Sequence, residues 1–247
     1  MKVVVTKSYD ESCAYVADMI CKLVNEKPNC KLGLATGGTP VPMYKKLIEA
    51  NKAGKVDFAQ VRTVNLDEYC GIPETHDQSY RYFMNTNLFD HINIDKANTY
   101  VPNGMAEDVD AECAAYDERI QEFGGIDLQL LGIGHDGHIG FNEPADHFSC
   151  GTNCVELTDM TIDANARFFA NRDDVPRQAL TMGMQAIMQA KAVLMVVSGA
   201  DKAEIIRKSF CGPITPEVPA SILQLHPNVT LVGDEAALAG LKEEGLV

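Results

Sequence analysis

Two hydrophobic patterns alternate along the chain. Short runs of apolar, often β-branched residues read as buried strands, and apolar residues recurring every three or four positions read as helix faces. Val3–Thr6 is a first strand. A helix follows, with Asp10 as its cap and Cys13, Val16, Ala17, Ile20, Cys21 and Val24 on one face. Leu32–Ala35 is a second strand, ending in Thr36-Gly37-Gly38-Thr39-Pro40. Thr39 suits an N-cap and Pro40 the first helical position, and Val41, Tyr44, Leu47 and Ile48 then face inward. Val61–Leu66 is a third strand, ending at Asp67-Glu68-Tyr69.

Helices are predicted over Gln78–Phe89 and about Asp108–Phe123. Asp127–Ile133 is a strand that runs into a glycine-rich loop, Gly134 to Pro144, and Val155–Leu157 is a further strand. Pro176 opens a helix carrying Met182, Met184 and Met188, which read as core packing. Ala192–Val197 is a buried strand; Ser198-Gly199-Ala200 then leads into a helix carrying Lys202, and Val229–Val232 is a last strand. A lid is expected between about Asp146 and Val175, where structure signals are weak and aromatic residues cluster. This alternation predicts an α/β fold, a mostly parallel sheet flanked by helices. No repeat or linker divides the chain, so residues 1–247 are expected to form a single domain.

Charge narrows the partners. Lys plus Arg number 21 against 35 Asp plus Glu, a net charge of −14, and no basic block is present. A nucleic-acid partner and a cationic membrane anchor are therefore not expected. The N-terminal apolar part is too short for a signal peptide, and Ala192–Val197 is too short to cross a bilayer. Eight scattered cysteines without a CxxC pair read as reduced thiols, which points to the cytoplasm.

Four polar or glycine-rich stretches each follow a predicted strand: TGGTP, DEYCG, GHDGHIGFNEP and SGADK. In parallel α/β sheets ligands sit beyond the carboxyl ends of the strands, so these four loops are expected to meet. The Thr36–Pro40 loop is either a phosphate cradle or a plain tight turn; it has no Walker lysine and no full GxGxxG, so it does not indicate a nucleotide. Asp67 and Glu68 offer a general base, or one cap and one solvated carboxylate. His135, Asp136, His138 and Glu143 sit among glycines. A histidine flanked by carboxylates suits a proton shuttle, while inert loop residues or a metal site that includes His147 are the alternatives. Arg167 and Lys202 complete the set as anion-binding cations or ordinary surface charges.

The chain resembles the glucosamine-6-phosphate deaminase (isomerase) family. LGLATGGTP at 32–40, NLDEYCG at 65–71, LGIGHDGHIGFNEP at 131–144, NARFF at 165–169 and SGADKA at 198–203 carry the likeness, which extends between the motifs. The resemblance implies a Rossmann-like domain without a nucleotide, metal or organic cofactor. It implies conversion of glucosamine 6-phosphate and water to fructose 6-phosphate and ammonia through an enediol. Asp67 would move the proton from C2 to C1, and His138 would open the sugar ring, assisted by Asp136 and Glu143. Gly38, Thr39, Arg167 and Lys202 would hold the phosphate of this small-molecule partner.

Hexameric, allosterically activated members carry basic residues shortly after NEP and a longer C-terminus. Here Asp146–Val155 has no Lys or Arg and the chain ends at Val247. A monomer or small homo-oligomer without activation by an N-acetylated sugar phosphate is therefore expected. Three rivals remain. A 6-phosphogluconolactonase shares the glycine loop and a DGH segment, but usually has DER in place of Asp67-Glu68-Tyr69. A sugar-phosphate-binding regulator would append a DNA-binding domain. A metal hydrolase would use the histidine cluster.

Overall fold

The computed structural model describes residues 1–246. Its strands, in chain order, are β1 (Lys2–Thr6), β2 (Lys31–Leu34), β3 (Arg62–Asn65), β4 (Asp67–Tyr69), β5 (Thr99–Tyr100), β6 (Leu128–Leu131), β7 (Asn153–Glu156), β8 (Gln178–Thr181), β9 (Val193–Val197) and β10 (Val229–Asp234). The α-helices are α1 (Tyr9–Glu26), α2 (Val41–Lys52), α3 (Tyr80–Asn87), α4 (Val109–Glu122), α5 (Asp159–Asn165), α6 (Met184–Met188), α7 (Ala203–Cys211) and α8 (Ala239–Glu243).

Seven strands form one sheet in the order β1-β10-β9-β6-β2-β3-β5, and every neighbouring pair is parallel. A parallel sheet covered on both faces needs strands that are apolar on both sides. β9 meets this with Val-Leu-Met-Val-Val, all buried. In β6 the one polar residue, Gln129, is buried too, and its Nε2 donates to the Leu130 carbonyl at 2.9 Å. Its side chain lies over Gly33 of β2, where a Cβ would stand 1.9 Å from Gln129 Oε1, so any larger residue there would push the Gln129 amide aside. At the opposite end from the glycine loops, Asp127 accepts from Lys27 and Lys191 Nζ and from the Lys31 amide.

The strand order defines the ligand position. From β2 the chain builds outward through β3 to β5; it then returns to β6 on the other side of β2 and continues through β9 and β10. The order reverses between β2 and β6, and the crevice at their carboxyl ends is the natural binding place of an open α/β sheet. The loops after β2 and β6 are the two glycine loops.

Several expected boundaries move. Ser8, with extended backbone, caps α1 in place of Asp10; its Oγ accepts from the Glu11 amide. Asp10 falls in the first turn and pairs with Lys46 at 2.8 Å. Pro40 occupies the cap position of α2 in helical conformation and Pro42 lies in the first turn, so Thr39 does not cap. Lys202 lies in a short 3-10 turn, Ala200–Lys202, just before α7.

The larger difference is a second sheet, β4-β8-β7, entirely antiparallel. Asp67-Glu68-Tyr69 is itself a strand, paired so that Asp67 faces Thr181 and Tyr69 faces Ala179. The predicted helix after Pro176 is therefore replaced by β8, and helix remains only at α6. Strands on both sides of β8 supply backbone partners that local propensity cannot anticipate. The expected strand at Val155–Leu157 starts two residues earlier, and the expected lid region contains β7, α5 and two 3-10 turns. The small sheet has its own core, including Tyr69, Phe141, Leu157 and Val175. Met182 and Met184 are buried and Met188 packs against the main core, as expected. The eight cysteines are free. Among the described residues no helix is long and apolar enough to cross a membrane.

Candidate active site

A cavity of about 270 Å³ opens at the crevice between β2 and β6. All four predicted loops reach it: Thr36, Gly37 and Thr39 after β2, Asp67 on β4, His135, Asp136 and His138 after β6, and Lys202 after β9. Arg167 enters from the segment following α5. An adjoining hollow is lined by Gly38, Thr39, Arg167, Lys202 and Tyr9. Glu143 borders a different hollow behind the relay and meets the main site through His138.

The two carboxylates of β4 separate because successive strand residues point to opposite faces. Glu68 is turned to the start of α3, where it accepts from Ser79 Oγ at 2.8 Å and from the amides of Tyr69, Tyr80 and Arg81. It satisfies the free N–H groups of that helix and is structural. Asp67 is buried and faces the cavity. Burial, with the charge of Glu68 behind it, pushes its carboxyl up to about 7, although His138 opposes the shift. A carboxylate poised there can take and return a proton near neutral pH.

The second group is Asp136, His138 and Glu143. His138 Nδ1 stands 2.7 Å from Asp136 Oδ1 and 3.7 Å from Glu143 Oε2. The close contact lies off the line of an ideal hydrogen bond and is an ion pair whenever the imidazole is protonated. The His138 amide also donates to Asp136 Oδ1 at 3.1 Å. Burial disfavours the imidazolium, but Asp136 and Glu143 outweigh it and the His138 pKa rises. Burial likewise disfavours the Asp136 carboxylate, yet contact with His138 holds its pKa well below the usual range. Burial moves Glu143 the other way, upward. Asn142 anchors this loop by donating to the carbonyls of Ile139 and Met182, both at 2.9 Å.

Donor atoms of Asp136, His138 and Glu143 lie within 4.8 Å of one another, so a metal reading would narrow to these three. The other histidines of the cluster are engaged elsewhere: His135 pairs with Asp201 at 2.8 Å and His147 with Asp146. The closeness of Asp136 to the ring nitrogen is the arrangement of a proton relay.

Two cations face the anion end. Lys202 is half-buried and its Nζ donates to the Ile133 carbonyl at 3.0 Å. Arg167 lies over the Phe168 ring, 4.7 Å from its centroid. The backbone of the glycine loop is held from both sides, since Tyr44 Oη donates to the Ala35 carbonyl and Tyr9 Oη to that of Thr39. Sequence reasoning missed Tyr9, and also Tyr80 and Thr161, which line the cavity. None of the three sits in a glycine-rich loop after a strand, the signal on which the other residues were chosen.

A buried carboxylate, a histidine between two carboxylates and two cations, gathered at the switch point of a parallel α/β sheet, suit acid–base chemistry on a small anionic substrate. The chain belongs to the family described as glucosamine-6-phosphate isomerases/6-phosphogluconolactonase, which matches residues 6–232. A glucosamine-6-phosphate deaminase of Clostridium perfringens (strain SM101) is 56% identical over 98% of this chain and 100% of its own. One from Thermoanaerobacter pseudethanolicus is 51% identical over 100% of this chain and 97% of its own. The solved structure of a monomeric glucosamine-6-phosphate deaminase superposes with a TM-score of 0.94, at 43% identity, covering 97% of this chain and 99% of that one.

Proposed function

We propose that this enzyme converts glucosamine 6-phosphate and water to fructose 6-phosphate and ammonia. The observation that carries the reading is Asp67, a buried carboxylate with its pKa near 7, facing the same cavity as the His138 relay. Aldose–ketose isomerisation needs one base that reaches two adjacent carbons, and a separate acid/base to open the ring. The full-length relatives at 56% and 51% identity are deaminases, which favours this substrate over a lactone.

In this mechanism His138 transfers a proton between the anomeric hydroxyl and the ring oxygen, giving the open-chain aldehyde. Asp136 and Glu143 stabilise the imidazolium formed on the way. Asp67 removes the C2 proton, and the electrons move to C1–C2 as the carbonyl oxygen is protonated. The resulting enediol-type intermediate carries the amine at C2. Asp67 returns its proton to C1, C2 becomes an imine, and water hydrolyses it to the ketone and ammonia. Positioned acid–base groups contribute about 10²–10⁴-fold each. Thr39 and the backbone at Gly38, with Arg167 and Lys202, bind the phosphate, so that binding energy far from C1 and C2 positions the reacting end.

Similarity to a relative described as monomeric supports a monomer here. The unpaired cysteines support action in the reducing cytoplasm. The decisive experiment measures ammonia release from glucosamine 6-phosphate, with 6-phosphogluconolactone as the competing substrate. Ammonia formed stoichiometrically with fructose 6-phosphate is expected. Lactone hydrolysis without ammonia release would overturn the reading.

A further inference from the structure

We propose that Thr161 is a positioning residue that holds Glu143 against His138, and that it joins the proton relay to the segment presenting Arg167 to the phosphate. The proposal rests on the deaminase reading above for its kinetic consequence and on geometry alone for its structural one.

Thr161 is buried in the first turn of α5, and its Oγ1 donates to Glu143 Oε1. Thr158, the cap of the helix, fixes it there: Thr158 Oγ1 accepts from the Thr161 amide at 3.3 Å and lies 3.5 Å from Glu143 Oε2. The other Glu143 oxygen, Oε2, is the one facing His138 Nδ1. One carboxylate therefore bridges the helix and the relay. α5 runs through Ala164 and Asn165, both lining the cavity, and the 3-10 turn Ala166–Phe168 that directly follows it carries Arg167. On its outer side Arg172 pairs with Asp159 and Asp163, so these acids are turned away from Glu143. A pull of the phosphate on Arg167 is thereby felt by the element that carries Thr161.

The charged and titratable groups around Glu143 come from several elements. His138 and Asp136 face it from the loop after β6, with Asp67 and Lys202 across the cavity acting on His138. Glu156 and His147 line the hollow behind it. Burial raises the pKa of Glu143, and the hydroxyl of Thr161 is the first contact opposing that shift. Removing the hydroxyl leaves the carboxyl protonated to higher pH, and a neutral Glu143 withdraws one negative charge from beside His138.

The test compares wild type with Thr161→Val, which keeps the shape of the side chain, and Thr161→Ser, which keeps its hydroxyl. Thr161→Val is expected to lower kcat roughly tenfold on the acid side of the profile, where Glu143 is neutral, and to recover towards wild type as pH rises and Glu143 ionises, with KM little changed. Thr161→Ser should restore the wild-type limb. An equal loss at every pH, or a serine variant as impaired as the valine one, overturns the proposal. A substrate-free readout separates this from the choice of substrate: ¹³C NMR of the Glu143 carboxyl should titrate at higher pH in Thr161→Val. An unmoved titration overturns the proposal, whichever substrate the enzyme takes.

Discussion

The imidazole of His138 lies face-on against the Cα of Gly134. A Cβ built on Gly134 would stand 2.3 Å, 2.4 Å and 2.5 Å from Cε1, Nδ1 and Nε2 of the ring. Three near-equal distances mean that the missing side chain points at the centre of the imidazole. Gly134 does not have a left-handed backbone, so alanine there needs no positive φ, and its nearest obstacle is the ring. Gly134→Ala is therefore expected to fold normally while displacing His138 from Asp136. We expect kcat to fall about 100-fold, within the range for losing an aligned acid–base group, with KM little changed. Wild-type kcat in this variant would show that the ring position is not critical.

Asp67→Asn should abolish exchange of the C2 hydrogen with solvent and also stabilise the protein at alkaline pH. In the folded protein the carboxyl is raised from 3.8 to about 7 by burial and by Glu68. A group with a raised folded pKa binds its proton more tightly in the folded state. Its favourable contribution is present below the unfolded pKa and is lost as pH rises through about 7. Above that the native state holds a buried carboxylate beside another, at an upper cost of about 4 kcal/mol. The amide removes this burden, and at pH 8 a rise in Tm of up to roughly 10 °C is expected. A variant less stable than wild type at pH 8 would contradict the charge state assigned to Asp67.

The same residue, acting as the proposed base, is expected to contribute the main ionisation on the acid limb of kcat/KM. The base form of Asp67 is half-populated near pH 7, so kcat/KM should rise through that region and be roughly tenfold lower one unit below it. His138 is raised above its ordinary value, so its protonated form persists to higher pH than for a free histidine. The descending limb should accordingly lie above about 6.5. Carrying the profile through Asp136→Asn should move the descending limb downward, because that substitution removes the charge that most favours the imidazolium. An unmoved limb would separate it from His138.

Elements that satisfy themselves locally were legible in the sequence, and those that need distant partners were not. β9 is a run of five apolar residues, and α1 repeats its buried positions at helical spacing. β4 carries two acids and β8 follows a proline; β4 is a strand because β8 lies beside it, and β8 because β4 and β7 flank it. Thr99–Tyr100 is two residues long and leaves no pattern. At the site, glycine loops placed after strands located Asp67, His138, Thr39 and Lys202. They did not distinguish the roles of Asp67 and Glu68. That division depends on which face of β4 meets the cavity and which meets α3, and a one-residue slip would exchange them. Thr161 was invisible because its significance comes from Glu143, eighteen residues earlier.

Lys202→Ala should act on substrate affinity. Its Nζ is held by the Ile133 carbonyl at the junction of the main cavity and the hollow beside Gly38. A charge-assisted hydrogen bond is worth about 1.5–3 kcal/mol, so KM should rise roughly 10- to 100-fold. The fall in kcat should be smaller, since Asp67 and the relay are left in place. Lys202→Arg should recover only part of the loss, because the longer planar group cannot keep the Ile133 contact. An unchanged KM in the alanine variant would remove Lys202 from the phosphate site.

Rate against substrate should be hyperbolic and indifferent to N-acetylglucosamine 6-phosphate. The hollow behind Glu143 adjoins the His138 relay. It is lined by Glu143, Glu156, His147 and Thr158, with prolines 144, 216 and 219. The stretch Asp146–Val155 contributes no Lys or Arg. A phosphate dianion there would meet two carboxylates, with only His147 to offset them, and that ring is paired with Asp146. Taking the dianion out of water without a cation costs more than hydrogen bonds to neutral groups return. Titrating the compound at subsaturating substrate should leave the rate unchanged until it competes at the main cavity, where it would inhibit. Activation, or a sigmoidal curve made hyperbolic, would show a cationic site elsewhere. A Val155→Lys substitution, placing a charge in this hollow, is the variant in which weak effector binding would first be sought.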